Sequence, residues 1–219
     1  FSFNSKNFLN MEMGINKLTA YDVVNNLDKK NLANIIKILG DEKDGKKIAN
    51  KIELYRKNKP IKTSKELTEI IKIAKKNYYN FKKNPATKTF QAIRIFVNQE
   101  LTELILGLIE ASKLLSQGGI LVVISFHSIE DKIVKNFFRL HSNLKENLSR
   151  YLPLKENNLC LFNLKSKKPL IPTQKEINQN INSRSAKLRH GVRTDTSFFY
   201  SKEFKKNFDI YLKLEESRL

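Results

Sequence analysis

The chain has 219 residues, of which 40% are hydrophobic and 29% charged, a globular balance that suits one large domain or one domain with a smaller insert. No apolar stretch approaches the roughly 18 residues that cross a bilayer and no signal sequence opens the chain, so we expect no membrane partner. The single cysteine, Cys160, cannot form an internal disulfide, which fits the reducing cytoplasm. The net charge of +19 favours a polyanionic partner, most simply nucleic acid, and the alternative is lysine supplied by A/T-rich codons to a solvated surface.

Residues 1–17 lack periodicity and predict a loop, after which helix signals follow at once. Apolar residues recur at helical spacing in four short segments, bounded by capping side chains, a glycine or a proline. The bounding residues are Thr19 with Asp22, Asp28 with Gly40, Pro60, and Thr63 with Glu66, of which the two threonine pairs form capping boxes. Four helices without a strand between them predict an all-helical subdomain over residues 18–80.

A longer helix is predicted over residues 85–115. Asn84 offers a capping side chain ahead of a proline at the first helical position, and an apolar face then continues to the end of the segment. Beside this face lies a polar stripe with a single charge, made of Thr87, Gln91, Arg94 and Asn98. The stripe predicts either the polar side of a cleft or a helix edge that hydrogen-bonds to adjoining loops.

An α/β pattern begins after this helix. Residues 116–119 predict a turn, and the apolar run 120–124 predicts a strand that is buried on both faces, as in a parallel sheet. A helical pattern follows directly. Further strands are predicted at 159–164 and 185–194, and the basic tail is predicted to be helical near its end.

The first strand ends in the sequence Ser-Phe-His-Ser, residues 125–128, at the position where open α/β sheets bind ligands. Ser128 with Asp131 resembles a capping box, which gives both a structural explanation. Capping does not need His127, whose imidazole can exchange hydrogen bonds with a substrate near neutral pH. No G-x-S-x-G elbow indicates a hydrolase, and one cysteine with three scattered histidines predicts no metal site. The segment therefore predicts a substrate-contact loop, with Ser125, His127, Ser128 and Asp131 as the candidate catalytic residues.

Basic residues alternate through the last predicted strand. Lys187, Arg189 and Arg193 fall on one side of it, and Arg184 precedes it. Such a stripe can hold phosphates, and an edge strand guarded by charges is the alternative.

Four segments carry a resemblance that covers most of the chain. They are FSFNSKNFLNMEM (1–13), NPATKTFQAIRIFVNQEL (84–101), LLSQGGILVVISFHSIEDKIVKNFF (114–138) and INSRSAKLR (181–189). Together they closely resemble the MraW family of bacterial methyltransferases, which modify N4 of a cytosine in small-subunit (16S) ribosomal RNA. The resemblance implies an α/β, Rossmann-like fold with an inserted helical domain, S-adenosyl-L-methionine as the methyl donor, and a cytosine of the decoding region as the substrate.

The sequence also departs from the family pattern. The family's LDMRM stands here as LNMEM at 9–13, and its HPATR as NPATK at 84–88. No G-x-G-x-x-G loop is present, and the glycine pair 118–119 precedes a strand instead of following one. We therefore expect the carboxyl-terminal part of the enzyme, with no cofactor-binding residues in this chain. Its predicted parts are a loop of the core at 1–17, the inserted helical subdomain at 18–80, the carboxyl-terminal part of the core at 81–195 and a basic tail at 196–219.

The resemblance implies direct attack of the cytosine amine on the donor's methyl group. We expect the strand end at 125–128 and the stripe Thr87, Gln91 and Arg94 to line the pocket for the base. Arg184, Lys187 and Arg189 are expected to contact the backbone of small-subunit ribosomal RNA, free or in the assembled subunit. Two alternatives stay open: a non-catalytic basic RNA-binding module, and a DNA amino-methyltransferase, whose usual Pro-Pro motif is absent.

Overall fold

The computed structural model describes residues 3, 6–14, 18–75, 84–142 and 159–217. The chain divides into two compact units, one formed by residues 1–102 with 210–219 and the other by residues 103–209. Within the described ranges, no helix is both long and apolar enough to cross a membrane. The predicted domain boundaries stay predictions, and the one near residue 80 lies outside the described residues.

Helices build most of the first unit. They are α1 (Ala20–Asn26), α2 (Lys29–Leu39), α3 (Gly45–Arg56), α4 (Ser64–Ala74), α5 (Thr87–Asn98), the start of α6 (Glu100–Leu114) and most of α10 (Asp209–Glu216). Helix α2 packs against α3 and α5, α3 packs against α4, and α1 packs against α5. The apolar residues of their inner faces, such as Ile35, Ile48 and Ile71, are fully buried, as expected for amphipathic helices around one core.

The capping boxes predicted from the sequence are confirmed. Thr19 and Thr63 each accept a hydrogen bond at 3.2 Å from the amide three residues further on. Asp22 and Glu66 in turn accept from the amides of those threonines at 3.0 Å. Asp28 caps α2 by accepting from two amides of its first turn. These bonds satisfy amides that have no acceptor within the helix, so they fix where each helix begins.

The glycine predicted to end α2 is confirmed at Gly40, where the chain passes close to α5. A Cβ atom added there would lie 2.5 Å from the carbonyl oxygen of Lys88 and 2.7 Å from that of Ile36. Only glycine fits between these two backbone oxygens, so Gly40 determines how closely α2 and α5 pack.

The single helix predicted over 85–115 is wrong, because the structure has α5 and α6 in its place. Gln99 lies between them with a left-handed backbone (φ 50°), which interrupts the helical ladder. The start of α6 is capped from a distance: the Glu215 carboxylate accepts from the amides of Leu101 and Thr102 at 3.2 and 2.9 Å. Apolar spacing does not reveal such a break, since the apolar face continues across it.

A small antiparallel sheet organises the second unit. Its strands are β1 (Ile120–Ser125), β2 (Phe162–Asn163) and β3 (Lys187–Arg193), and its remaining helices are α7 (Ser128–His141), α8 (Gln174–Gln179) and α9 (Lys202–Lys206). The strand order is β1-β3-β2, with β3 antiparallel to both neighbours. All three predicted strands, the turn before β1 and the helix after it are confirmed, so the protein has a mixed helix–sheet fold.

The prediction that β1 is buried on both faces of a parallel sheet is wrong for the described residues. Within these ranges, β1 pairs only with β3, and the pairing is antiparallel. Its side chains Ile120, Val122 and Ile124 are 57%, 52% and 54% exposed, and Ser125 on the opposite face is buried. The described chain thus covers one face of an apolar strand and leaves the other face and one edge uncovered.

Strand β3 lies at the centre of this sheet, so the interpretation of a charged edge strand is also wrong. The predicted alternation itself is confirmed, because Lys187 and Arg189 share a face and both contact α7. These two cations point toward the helix-covered side of the sheet.

Aromatic rings hold α7 on the sheet. The Phe137 ring lies 5.7, 6.0 and 5.2 Å from the rings of Phe138, Phe162 and Phe204. Gly191 of β3 leaves room for this cluster, since a Cβ atom there would lie 3.0 Å from Phe138. Edge-to-face pairs contribute about 0.5–1.5 kcal/mol each beyond their burial, so α7 is firmly positioned against β3.

Candidate functional site

Strand β1 leads into the segment 125–128 at the start of α7. Ser125 is buried, and its hydroxyl donates to the carbonyl oxygen of Lys187 at 3.3 Å. Phe126 is 56% exposed, and Ser128 is exposed at the first position of α7. Ser125 therefore ties the strand end to β3, whereas Phe126 and Ser128 are accessible to a ligand.

His127 caps α7, which corrects the prediction for this turn. Its Nδ1 accepts from the amide of Glu130 at 3.3 Å, and Glu130 Oε2 accepts from the amides of Phe126 and His127 at 2.8 and 3.2 Å. The predicted cap at Ser128 with Asp131 is wrong, because Ser128 is already helical. The imidazole takes the position that a serine or threonine hydroxyl has in the usual capping box, so capping does use His127.

The outer nitrogen of His127 is buried beside an acid. Nε2 lies 3.3 Å from Glu130 Oε1, but without the geometry of a hydrogen bond, so it has no hydrogen-bond partner in the described part of the chain. Burial raises the pKa of Glu130, but the adjacent His127 side chain and the hydrogen bonds from the amides of Phe126 and His127 outweigh it and lower that pKa. Glu130 is therefore ionised at neutral pH. Nε2 of His127 is therefore a buried atom that faces an ionised carboxylate.

Asp131 joins the two basic residues of β3. Its Oδ1 accepts from Arg189 Nε at 2.8 Å and its Oδ2 from Lys187 Nζ at 2.9 Å. Burial raises the pKa of Asp131, but the hydrogen bonds and charges of Arg189 and Lys187 outweigh it and lower that pKa. The structure thus brings together three residues that the sequence assigned to different tasks, and it makes Asp131 an ionised, doubly paired carboxylate.

The predicted polar stripe belongs to the first unit and is mostly bonded to neighbouring chain. Thr87 donates to the Asn84 carbonyl at 2.7 Å, and Arg94 binds Glu100 through two nitrogens at 2.7 and 2.8 Å. Asn98 holds the opening loop through the carbonyl of Met11 and the amide of Met13. These contacts are those expected of a helix edge, and Gln91 is the half-buried member of the stripe between them.

Arg184 makes its hydrogen bond outside the cluster of Asp131, Lys187 and Arg189. It belongs to a short 3₁₀ helix over Ile181–Ser185 in the second unit, and its Nη1 donates to the Ile181 carbonyl at 3.0 Å. Its predicted contact with RNA stays a prediction.

Comparison with known proteins gives a consistent result. The sequence model of the MraW methylase family matches residues 1–193. The chain belongs to the MraW methylase family. It is 46% identical over 195 residues to the ribosomal RNA small subunit methyltransferase H of a Sulfurihydrogenibium species, covering 88% of this chain and 61% of that protein.

Proteins of the same name from other organisms match similarly. The one from Caldicellulosiruptor saccharolyticus is 46% identical over 196 residues, with 86% of this chain and 62% of the relative covered. The one from Hyphomonas neptunium is 40% identical over 196 residues, with 89% and 57% covered. This member of the MraW methylase family therefore spans about three-fifths of the length of the relatives it matches.

Two features of the site in this family member escaped the sequence analysis. Glu130 stands three residues after His127, the spacing of a capping box, but histidine is not among the usual capping residues. Lys132, Lys135 and Arg139 recur at helical spacing, which puts them on one side of α7. That spacing was available in the sequence and would have predicted a basic helix face.

Proposed function

We propose that this chain is part of an S-adenosylmethionine-dependent methyltransferase that modifies N4 of a cytosine in the decoding region of small-subunit ribosomal RNA. The observation that carries the proposal is the 46% identity over 195 residues to a ribosomal RNA small subunit methyltransferase H. The proposed architecture is a Rossmann-like core with the helices α1–α4 as an inserted subdomain. Its substrate is small-subunit ribosomal RNA, free or in the assembled subunit.

The donor is proposed to bind mainly to chain outside these 219 residues. In the part of the chain that the structure describes, strand β1 has an uncovered edge and the exposed apolar side chains Ile120, Val122 and Ile124. Natural sheets rarely leave a long, uncharged apolar edge open, so this edge fits a further strand of the core. The sequence also contains no glycine-rich loop of the dinucleotide-binding kind. By itself, this chain is therefore expected to be inactive.

The strand end is proposed to receive the target base. When bound, S-adenosylmethionine supplies an electrophilic methyl group on a sulfonium. Because the lone pair of the cytosine amine is delocalised into the ring, the protein must align that nitrogen with the methyl carbon and the sulfur. In the reaction a nitrogen–carbon bond forms, the carbon–sulfur bond breaks and the amine loses one proton to solvent. The base must first leave its stack, at a cost of a few kcal/mol.

His127 is proposed to orient the base as a donor. Because Nδ1 accepts the Glu130 amide, the proton of the neutral imidazole lies on Nε2, so Nε2 cannot take up the amine proton. Nε2 is buried beside Glu130 Oε1, so it can donate to a ring acceptor of cytosine only after the base displaces the chain that covers it. The exposed Ser128 hydroxyl is the candidate acceptor for an amine N–H. Ser125 fixes the strand end, and Asp131 acts as a positioning residue for Lys187 and Arg189.

The RNA backbone is proposed to contact the cations of the second unit, Arg184, Lys187 and Arg189. Thr87, Gln91 and Arg94 belong to the first unit, and their predicted contact with the base stays a prediction. Of these, Thr87 and Arg94 already bond to neighbouring chain.

Substitution of His127 tests the proposed orientation of the base. The test uses a chimera in which this chain is joined to the part of the Sulfurihydrogenibium relative that it does not span. His127→Ala removes both cap and donor, at a cost of about 0.5–2 kcal/mol in stability, whereas His127→Asn keeps an oxygen that can cap α7. We expect both variants to lower turnover on small ribosomal subunits well below that of the unaltered chimera, with Asn restoring thermal stability. If His127→Asn has the turnover of the unaltered chimera, His127 serves only to cap α7.

Two measurements separate the alternative functions. Calorimetric titration of the 219-residue chain with S-adenosylmethionine should give no saturable heat, and tight binding would contradict the proposed location of the donor site. Methyl transfer by the chimera is expected on small ribosomal subunits and absent on duplex DNA. Transfer to duplex DNA would favour the DNA amino-methyltransferase, and RNA binding without any transfer would favour the binding module.

A further inference from the structure

A pocket lies beside α7 in the second unit, and none of the residues that line it belongs to the strand end at 125–128. Its lining combines an apolar floor with cationic groups from three segments: Lys135, Phe138, Arg139, Ser142, Leu164, Lys167 and Arg189. Phe138 and Leu164 belong to the cluster that contacts Gly191 of β3, so the floor is fixed by the core of the unit.

Two acids of the described chain, Glu203 and Asp131, contact cations at this pocket. Arg139 contacts Glu203 at 3.5 Å, but both side chains are exposed, so this pair contributes little and can exchange. Asp131 engages Arg189 and Lys187. Besides the lining residues, the exposed side chains of Lys132, Lys165 and Lys168 add positive charge near it along α7 and the segment 164–168.

Arg189 is held in place with a donor to spare. Its Nε binds Asp131 at 2.8 Å and its Nη1 binds the carbonyl of Lys167 at 2.8 Å. Nη2 makes no hydrogen bond to the described part of the chain, and the side chain is only 10% exposed. A guanidinium fixed in this way loses little freedom when it binds an anion, which favours binding.

We infer that this pocket binds a backbone phosphate of the RNA substrate, with Lys135, Lys167 and Arg189 as its contacts. The inference rests on the proposed function, and it places one contact with the RNA backbone at this pocket of the second unit. The cavity of about 50 Å³ is far below the ~300 Å³ of a small-molecule pocket, so it suits one group of a larger polyanion. Guanidinium and ammonium groups around a phosphate are the usual positioning contacts of RNA-binding proteins.

The test is the salt dependence of RNA binding, measured by fluorescence anisotropy on the 219-residue chain with a labelled single-stranded RNA from the decoding region. The variant Lys135→Gln with Lys167→Gln removes two pocket charges, and the control Lys175→Gln with Lys202→Gln removes two exposed charges elsewhere on the unit. Each lost phosphate contact lowers the slope of log affinity against log salt by about 0.7, equivalent to about fivefold in affinity near 0.1 M salt. We expect the pocket variant to bind about 25-fold more weakly with a slope reduced by about 1.4, and the control to stay within about threefold.

The outcomes separate this inference from the proposed function. If the unaltered chain binds no RNA, the inference is overturned, whereas methyl transfer by the chimera decides the proposed function. If it binds RNA and the pocket variant matches the control, only the inference is overturned. Circular dichroism of both variants checks that the exposed substitutions leave the fold intact. The inference would also be overturned if the pocket variant bound acidic lipid vesicles as much more weakly as it binds RNA, with the same change in the slope of log affinity against log salt. The pocket would then be a general anion-binding surface.

Discussion

The ionised carboxylate at the junction of α7 and β3 gives the sharpest test of the structure. Asp131→Asn keeps the size of the side chain but removes the charge that engages Arg189 at 2.8 Å and Lys187 at 2.9 Å. Side-chain exposure is 13% for Asp131 and 10% for Arg189, so the first pair is largely shielded from water, whereas Lys187 is 42% exposed.

The magnitude follows from that difference in exposure. A hydrogen bond to a charged partner in a shielded site is worth about 1.5–3 kcal/mol, and an exposed ion pair about 0–1 kcal/mol. The substitution also leaves Arg189 charged and nearly buried, which adds to the cost. We therefore expect Asp131→Asn to lower the free energy of unfolding by about 3 kcal/mol at neutral pH. Glu110→Gln is the matched control, because its pair with Lys113 is exposed on both sides and should change stability by less than about 0.5 kcal/mol.

The pH dependence gives the second half of this test. The pKa of Asp131 is lowered in the folded state, so its contribution is present above the unfolded value near pH 4 and is lost as the pH falls through the folded value. Urea unfolding followed by circular dichroism, from neutral to acidic pH, should show the gap between the unaltered chain and Asp131→Asn closing below about pH 4. A gap under about 1 kcal/mol at neutral pH, or one that persists unchanged in acid, would refute the reasoning.

Two further predictions concern the first unit and the helix that leaves it. Gly40→Ala would bring a Cβ atom within 2.5 Å of the Lys88 carbonyl oxygen, so urea unfolding should show a loss of stability of at least about 2 kcal/mol. Gly107→Ala in α6 is the control, because its Cβ atom would meet nothing within 4 Å, and it should stabilise the chain by about 0.5–1 kcal/mol. Equal effects of the two alanines would show that α2 and α5 do not approach as described. Burial raises the pKa of Glu215, and the charge of Glu100 adds to this, so the stability it contributes falls as the pH rises from the unfolded value near 4 through the folded value. The stability difference between the unaltered chain and Glu215→Gln should therefore shift in favour of glutamine over that range in chemical denaturation, and a shift toward glutamate would contradict the burial of this carboxylate.

Local signals predicted the helices of the first unit well. Caps and glycines act within one turn of chain, so Thr19, Asp28, Gly40 and Thr63 fixed their elements without knowledge of the rest of the fold. The break at Gln99 could not be predicted in this way, because the residue that caps α6 is Glu215, more than a hundred residues further along the chain.

At the strand end, too, the sequence predicted local features but not contacts between distant residues. Its position after β1 was predictable from the apolar run, and the alternation of β3 put Lys187 and Arg189 on one face. Their common partner, Asp131, belongs to another element, so only the structure reveals that the three charges meet. His127 was misjudged because capping by an imidazole is rare, and the exposure of β1 was missed because an apolar run predicts burial wherever it occurs.

Nucleoside analysis of ribosomal RNA after reaction with the chimera tests the central claim most directly. Small subunits that lack the modification are incubated with S-adenosylmethionine and either the chimera or the 219-residue chain, then digested and analysed by mass spectrometry. The account predicts N4-methylcytidine in the decoding region with the chimera and none with the chain alone. A folded chimera that binds S-adenosylmethionine and methylates a different atom, or leaves the RNA unmodified, would contradict it.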